Sequence, residues 1–345
     1  MLKKSLIALS LGALVLAAGA DGAVAKTLKL QTSQNSGDFT FKYLSEKWAP
    51  KVKEMSGGSL ELQLMPTKSV VPHRETIDAV ANGILDGDLN AVAYFAGRDP
   101  VFAMMGDLIA GYDNPDQVQM FCENGGGKEV LQAAYDKILK GGVHVVGCGP
   151  YTREALVSKK PIRGVDDLKG VKIRSPEGLA AEVFKRAGAS PVAIPFSEVY
   201  TSLEKGIVDA ADASAYVNNA ATGMHKIAHY PIYPGIHSQA VLQFIVNKDV
   251  WDKLSKGEQE LLHTWYLAAY TDLRRHADMQ DRIMVADDRA GKSEIKEVVD
   301  WPQAERDKFR EIARTAWEDF AKKSDLAQMA YDAHVKFMRA YGLLK

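Results

Sequence analysis

Apolar and polar positions along the chain follow two rhythms. Residues 28–32, Leu-Lys-Leu-Gln-Thr, alternate with the period of a half-buried strand, and residues 41–55 carry apolar positions at helical spacing. A strand at 60–64, Pro66, a helix at 75–82, Gly83 and a strand at 84–89 complete a βαβαβ unit. The same order returns as strand 171–174, helix 179–187, strand 192–194, Pro195, helix 198–205, Gly206 and strand 207–211. Matching Gly83 with Gly206 superposes Glu75 on Glu198, Val80 on Leu203, Ile84 on Ile207 and Asp86 on Asp209. In each copy the glycine follows the helix, where a left-handed residue closes the last turn. Two such units predict an α/β protein of two lobes.

Between the copies, 114–123 and 128–139 read as helices separated by Gly125, Gly126 and Gly127, a turn without the spacing of a phosphate-binding loop. A strand at 143–147 leads into the first crossing between lobes, and an apolar strand at 241–246 makes the return. Ser255 and Glu258 form a capping box that opens a long helix, with an apolar stripe through Leu262, Trp265, Tyr266, Ala269, Tyr270 and Leu273. A second helical region runs from Trp301 to Tyr341. The expected division is a leader at 1–25, a first lobe of 26–149 plus 239–279, and a second of 150–238 plus 280–345. Ligands of open α/β sheets sit beyond the carboxyl ends of the strands. That rule places 32–39, 90–94, 174–177 and 212–216 on one crevice.

Lys3 and Lys4 precede an apolar run at 6–18 and a small-x-small site, Ala23-Val24-Ala25, the pattern of a cleaved secretory signal peptide. The expected location is the periplasm. The chain has 43 basic and 44 acidic residues, net charge −1, which gives no electrostatic footprint for nucleic acid. Cys122 and Cys148 are the only cysteines, either joined as a disulfide or buried as thiols. There is no GxSxG, no HExxH and no Cys–His nucleophile pattern, so an enzyme is not expected. His225 and His229 share the i, i+4 spacing of a metal pair without a third ligand at suitable spacing, and read as surface or packing residues.

Candidate chemistry centres on 147–175, which brings Arg153 and Arg174 from neighbouring strands. Their guanidinium forks match a carboxylate bidentately; the alternative for each is a structural pairing with Asp or Glu. The run KKPI, DLKG, VKIRS, with an arginine five residues before Ser158, resembles the DctP-type solute receptors of tripartite ATP-independent periplasmic (TRAP) transporters. That resemblance implies a two-lobed periplasmic-binding-protein fold, with crossing strands and a long bracing helix that dimerises some members. It implies an organic acid as solute, a membrane permease as partner, and Arg174 as the carboxylate clamp, with Arg153 as an additional anion contact.

Asp212 closes a strand where relatives carry an acid beside the ligand. Tyr94, in Tyr94-Phe95-Ala96-Gly97-Arg98, and Tyr233 and His237, in Tyr233-Pro234-Gly235-Ile236-His237, resemble the 2-oxo acid-binding branch; Asn35, Phe39 and Tyr216 are further candidates from the strand ends. Metal-assisted members of that branch place an amide near Arg153 and a Glu-Trp pair at Asp212-Ala213. An arginine here predicts recognition without a metal or other cofactor, and Ala213 predicts a larger pocket for a bulkier, even aromatic, acid. A secreted enzyme acting on a carboxylate and a receptor serving a sensor kinase are the competing readings.

Overall fold

The structure is a computed structural model that describes residues 25–236 and 239–344; the expected leader up to Val24 and the candidate His237 lie outside the described residues. Among the described residues nine strands form two sheets: β1 (Lys26–Thr32), β2 (Leu60–Met65), β3 (Gly87–Leu89), β4 (Val143–Pro150), β5 (Leu156–Ser158), β6 (Lys172–Ser175), β7 (Ser190–Ala193), β8 (Ala210–Asp212) and β9 (Val241–Asn247). The first sheet has the order β2-β1-β3-β9-β4 and the second β5-β8-β6-β7. In each, the leading strand lies between its two successors and parallel to both. An antiparallel strand then docks on the third, β9 beside β3 and β5 beside β8. Each of these arrives from the other lobe, giving two crossing strands.

The repeat holds in register. Leu30 faces Gly87 and Ile173 faces Ala210, each four residues past its matched glycine. Gly83 (φ 72°) and Gly206 (φ 70°) adopt the left-handed conformation that a β-carbon disfavours. The third strands start later than the apolar pattern suggests. The N–H groups of Ile84 and Leu85 return to the Ala79 carbonyl and those of Ile207 and Val208 to Ser202, so these residues finish a helix instead of opening a strand. Helix 41–55 also differs: a π turn at Tyr43–Trp48 separates Phe39–Lys42 from Ala49–Met55. Pro50 has no N–H for the regular ladder. His225 lies on the short turn Met224–Lys226, which ends before His229, so the two do not share a helix face.

The capping box at Ser255 and Glu258 starts a helix of 34 residues, Lys256–Arg289, about 51 Å long at 1.5 Å per residue. Its apolar stripe is buried against its own chain. The Tyr266 ring packs on Gly147, where an added β-carbon would lie 2.5 Å from the ring, and its hydroxyl donates to the Leu242 carbonyl at 2.8 Å. Farther along, Asp281 accepts the N–H of Val217 in the second lobe at 2.7 Å. One helix therefore braces both lobes. Helix Gln303–Ala321 packs on Leu179–Arg186, and Asp325–Tyr341 returns to Val101–Gly106 and Gly127–Ile138. Cys122 and Cys148 are free thiols, both fully buried. Among the described residues no helix is long and apolar enough to cross a membrane.

Candidate functional site

The carboxyl ends of the strands converge on a cavity of about 40 Å³ between the sheets. Arg174 enters it from β6, only 3% exposed; its Nε donates to the Ile194 carbonyl at 2.7 Å and its Nη1 to the Asp212 carbonyl. Backbone acceptors orient the guanidinium without cancelling its charge. Tyr94, from the first lobe, borders the same space and accepts the N–H of Phe196, from the second, at 3.0 Å. Ser33, Gln34, Tyr151 and Ser214 complete the polar lining.

The neighbours of Arg174 are acids. Asp107, Glu154 and Asp212 bring carboxylate oxygens within 4.8 Å of one another, all largely buried. Carboxylates at this range oppose each other's ionisation unless a counter-charge sits among them. Arg174 stands beside them as a fixed positive charge, whereas His73, whose ring meets Tyr94 edge-on, is pulled down by burial to about 4 and is neutral at pH 7. Gln34 Oε1 and Gln239 Oε1 are buried nearby without a hydrogen-bond partner, and Gln239 also donates its backbone N–H to Asp107 at 3.3 Å. An all-oxygen donor set of this kind fits a hard cation such as sodium or calcium.

Arg153 is not beside Arg174. The crossing segment 151–155 sends Tyr151 and Glu154 into the cleft, and Thr152 and Arg153 to a different cavity against the long helix. Residues 151–155 have no regular secondary structure, so no alternation fixes which side chain enters the cleft, and a glutamate stands there where an arginine is expected. The ground for expecting recognition without a metal, a fixed positive charge at that position, is thereby removed. Ala213 does not enlarge the pocket either, because it packs with Val157, Val199 and Leu203 in the core of the second lobe.

Four other candidates lie off the cavity. Tyr216 is fully buried and donates its hydroxyl to Asp288, held edge-on against His225 and Tyr233. Tyr233 shares that small core with Ala155 and Val285. Phe39 stacks on Tyr43 and His276. Asn35 is exposed and borders a shallower depression with Tyr200 and Thr222. Sequence reasoning missed Asp107, Glu154 and Gln34. Asp107 had a signal: it is the one acid at the end of the wholly apolar run 101–106, where an ionisable group has to be partnered or functional.

Comparison with known proteins agrees with this architecture. Residues 30–324 match the DctP family, described as bacterial extracellular solute-binding protein, family 7. A monocarboxylate 2-oxoacid-binding periplasmic protein of Nostoc sp. is 29% identical over 224 residues, 64% of this chain; the match spans 60% of that relative's length. A TRAP periplasmic solute binding protein from Rhodobacter sphaeroides, solved in an apo open state, is 40% identical over 92% of this chain and 99% of its own, with TM-score 0.75. One from Pseudoalteromonas atlantica, solved with bound sodium and pyruvate, has TM-score 0.78 over 92% of this chain and 95% of its own; at 24% identity it speaks for the fold alone. The chain is a member of the DctP family, a two-lobed solute-binding receptor and not an enzyme.

Proposed function

We propose that this receptor captures a small 2-oxo or 2-hydroxy monocarboxylate outside the cytoplasm and presents it to a TRAP-type permease. The supporting observation is the single buried guanidinium of Arg174 among three carboxylates in a cavity closed by both lobes. The solute's carboxylate docks on Arg174, and Tyr94 donates its hydroxyl hydrogen to a second solute oxygen while its own oxygen stays on Phe196. Asp107, Glu154 and Asp212 would hold a hard cation. When bound, it would offset carboxylate charge and supply a positive contact for an anionic solute. The 2-oxoacid named for the Nostoc relative supports the same substrate class. The small cavity supports a compact acid over an aromatic one. Contacts from both lobes form together only when the cleft is shut, so binding shifts the open–closed equilibrium.

The test is calorimetry with pyruvate and lactate on chelator-treated protein, with and without added calcium or sodium. Binding that requires the cation and Arg174 is expected. Equal affinity without any cation overturns the role of the three acids, and undiminished affinity in Arg174→Gln overturns the clamp. Recovery of permease subunits, against recovery of a sensor kinase, in a membrane pull-down separates the two partners.

A further inference from the structure

The cavity that receives Arg153 lies where the crossing segment meets the long helix, with a volume of about 430 Å³. Four arginines border it: Arg153, Arg274, Arg275 and Arg282. Two have carboxylate partners, Arg274 with Asp116 at 2.7 Å and Arg282 with Asp278 at 2.9 Å. Arg153 and Arg275 pair with no carboxylate among the described residues. Arg153 makes only a 3.3 Å hydrogen bond to the Asp113 carbonyl, and the Asp113 carboxylate is taken by Arg310. Asp281, the remaining acid, commits an oxygen to the Val217 N–H, and burial lifts it to about 7, which weakens its opposition to an incoming anion.

Two buried polar atoms at this cavity are unsatisfied. Arg274 is 7% exposed and its Nε has no partner; Thr152 is 2% exposed and neither does its Oγ1. A buried guanidinium N–H without an acceptor is costly, and its natural complement is an oxyanion. We propose that this cavity is a second binding site, for a small multiply charged oxyanion such as phosphate or a polycarboxylate, held by Arg153, Arg274 and Arg275 with the Thr152 hydroxyl. The site joins the crossing segment to the bracing helix, both of which connect the lobes, so an anion bound there bears on lobe closure. It shares no residue with the cavity of Arg174.

The experiment titrates the full secreted chain with inorganic phosphate and, separately, citrate, at matched ionic strength in chloride. Saturable binding of one or both is expected; the stronger arm names the ligand class. Arg153→Gln combined with Arg275→Gln should weaken it about tenfold or more, the scale of a lost charge-assisted bond, whereas Arg174→Gln should retain it. No saturable binding of either probe, or binding lost in Arg174→Gln and kept in the double variant, overturns the proposal. Should the double variant unfold, crystals of the unaltered protein soaked in tungstate decide the matter. Density among the four arginines supports the site, and density only elsewhere refutes it.

Discussion

In the first lobe, the residue of β1 opposite Asp88 is Gln31; in the second, the residue of β6 opposite Ala211 is Arg174. Matching Gly83 with Gly206 makes these two pairs equivalent. Gln31 accepts the N–H groups of Val70 and Val71 and donates to the Val71 carbonyl, which clamps the loop after β2. Arg174 clamps the corresponding loop after β7 through Ile194, with a charged, multi-donor group that also borders the cleft. The common task is loop anchoring, and the second lobe has added charge to it. On the proposed function, ligand recognition belongs to the one matched position at which the copies diverge on a shared frame.

Arg174→Gln makes the second lobe imitate the first and is the largest expected effect. A charged hydrogen bond contributes about 1.5–3 kcal/mol, so acid binding should weaken roughly ten- to hundredfold, read by calorimetry with circular dichroism to verify the fold. If affinity is unchanged, the difference between the copies has nothing to do with the solute.

The next effect belongs to the crossings. Gly235 (φ 73°) packs against the other crossing so closely that an added β-carbon would sit 2.2 Å from the Glu154 carbonyl oxygen. Gly235→Ala meets both an unfavourable φ and a backbone collision. It should cost about 1–3 kcal/mol in urea unfolding, and weaken solute binding by displacing Glu154. Unaltered stability would show that the crossings adjust freely.

The frame was legible because it rests on patterns that local chemistry enforces. The repeat could be read from Gly83 and Gly206, since only the left-handed turn they supply lets each helix feed the next strand. The long helix announced itself through Ser255 and Glu258. The site was half legible. Arg174 lies on a strand whose buried face follows from its pattern, whereas Arg153 and Glu154 lie in a crossing segment without regular structure, where no period assigns a face. Tyr216 and Tyr233 follow a similar logic: each stands at a cleft-facing strand end or turn in the sequence, but large rings are as useful to the core, and here the core took them.

Asp88 and Ala211 extend the comparison to pH. Asp88 is fully buried, accepts from Thr76 Oγ1 at 2.6 Å and Gln243 Nε2 at 2.8 Å, and burial lifts it from 3.8 to about 7. Between those values the native state holds a proton that the unfolded chain releases, so this contribution is complete below pH 4 and is lost as pH rises through 7. Asp88→Asn removes the dependence. Relative to the unaltered protein, its stability should climb from pH 4 to 7 and then level off. The difference isolates Asp88 from buried histidines such as His334, which is lowered to about 3 and acts in the opposite sense. A flat difference across that range in urea unfolding would mean that Asp88 ionises as freely as a surface carboxylate.

The smallest effect concerns what the two lobes say to each other across the mouth of the cleft. Lys68 of the first lobe pairs with Glu198 of the second at 2.7 Å, and Arg74 with Glu177 at 3.1 Å. Glu198 is the repeat counterpart of Glu75, which is exposed and immediately follows Arg74, so only the second copy's matched glutamate reaches the other lobe. Three of the four side chains are about half exposed, and such pairs contribute about 0–1 kcal/mol, less in salt. Lys68→Met alone should therefore shift the solute-free population toward the open form by at most about fivefold. In scattering or a distance label across the cleft, the shift should disappear at high salt. A larger, salt-independent opening would place the energy of closure at the rim, whereas the comparison of the lobes assigns it to the buried contacts of Tyr94 and Arg174 at the centre.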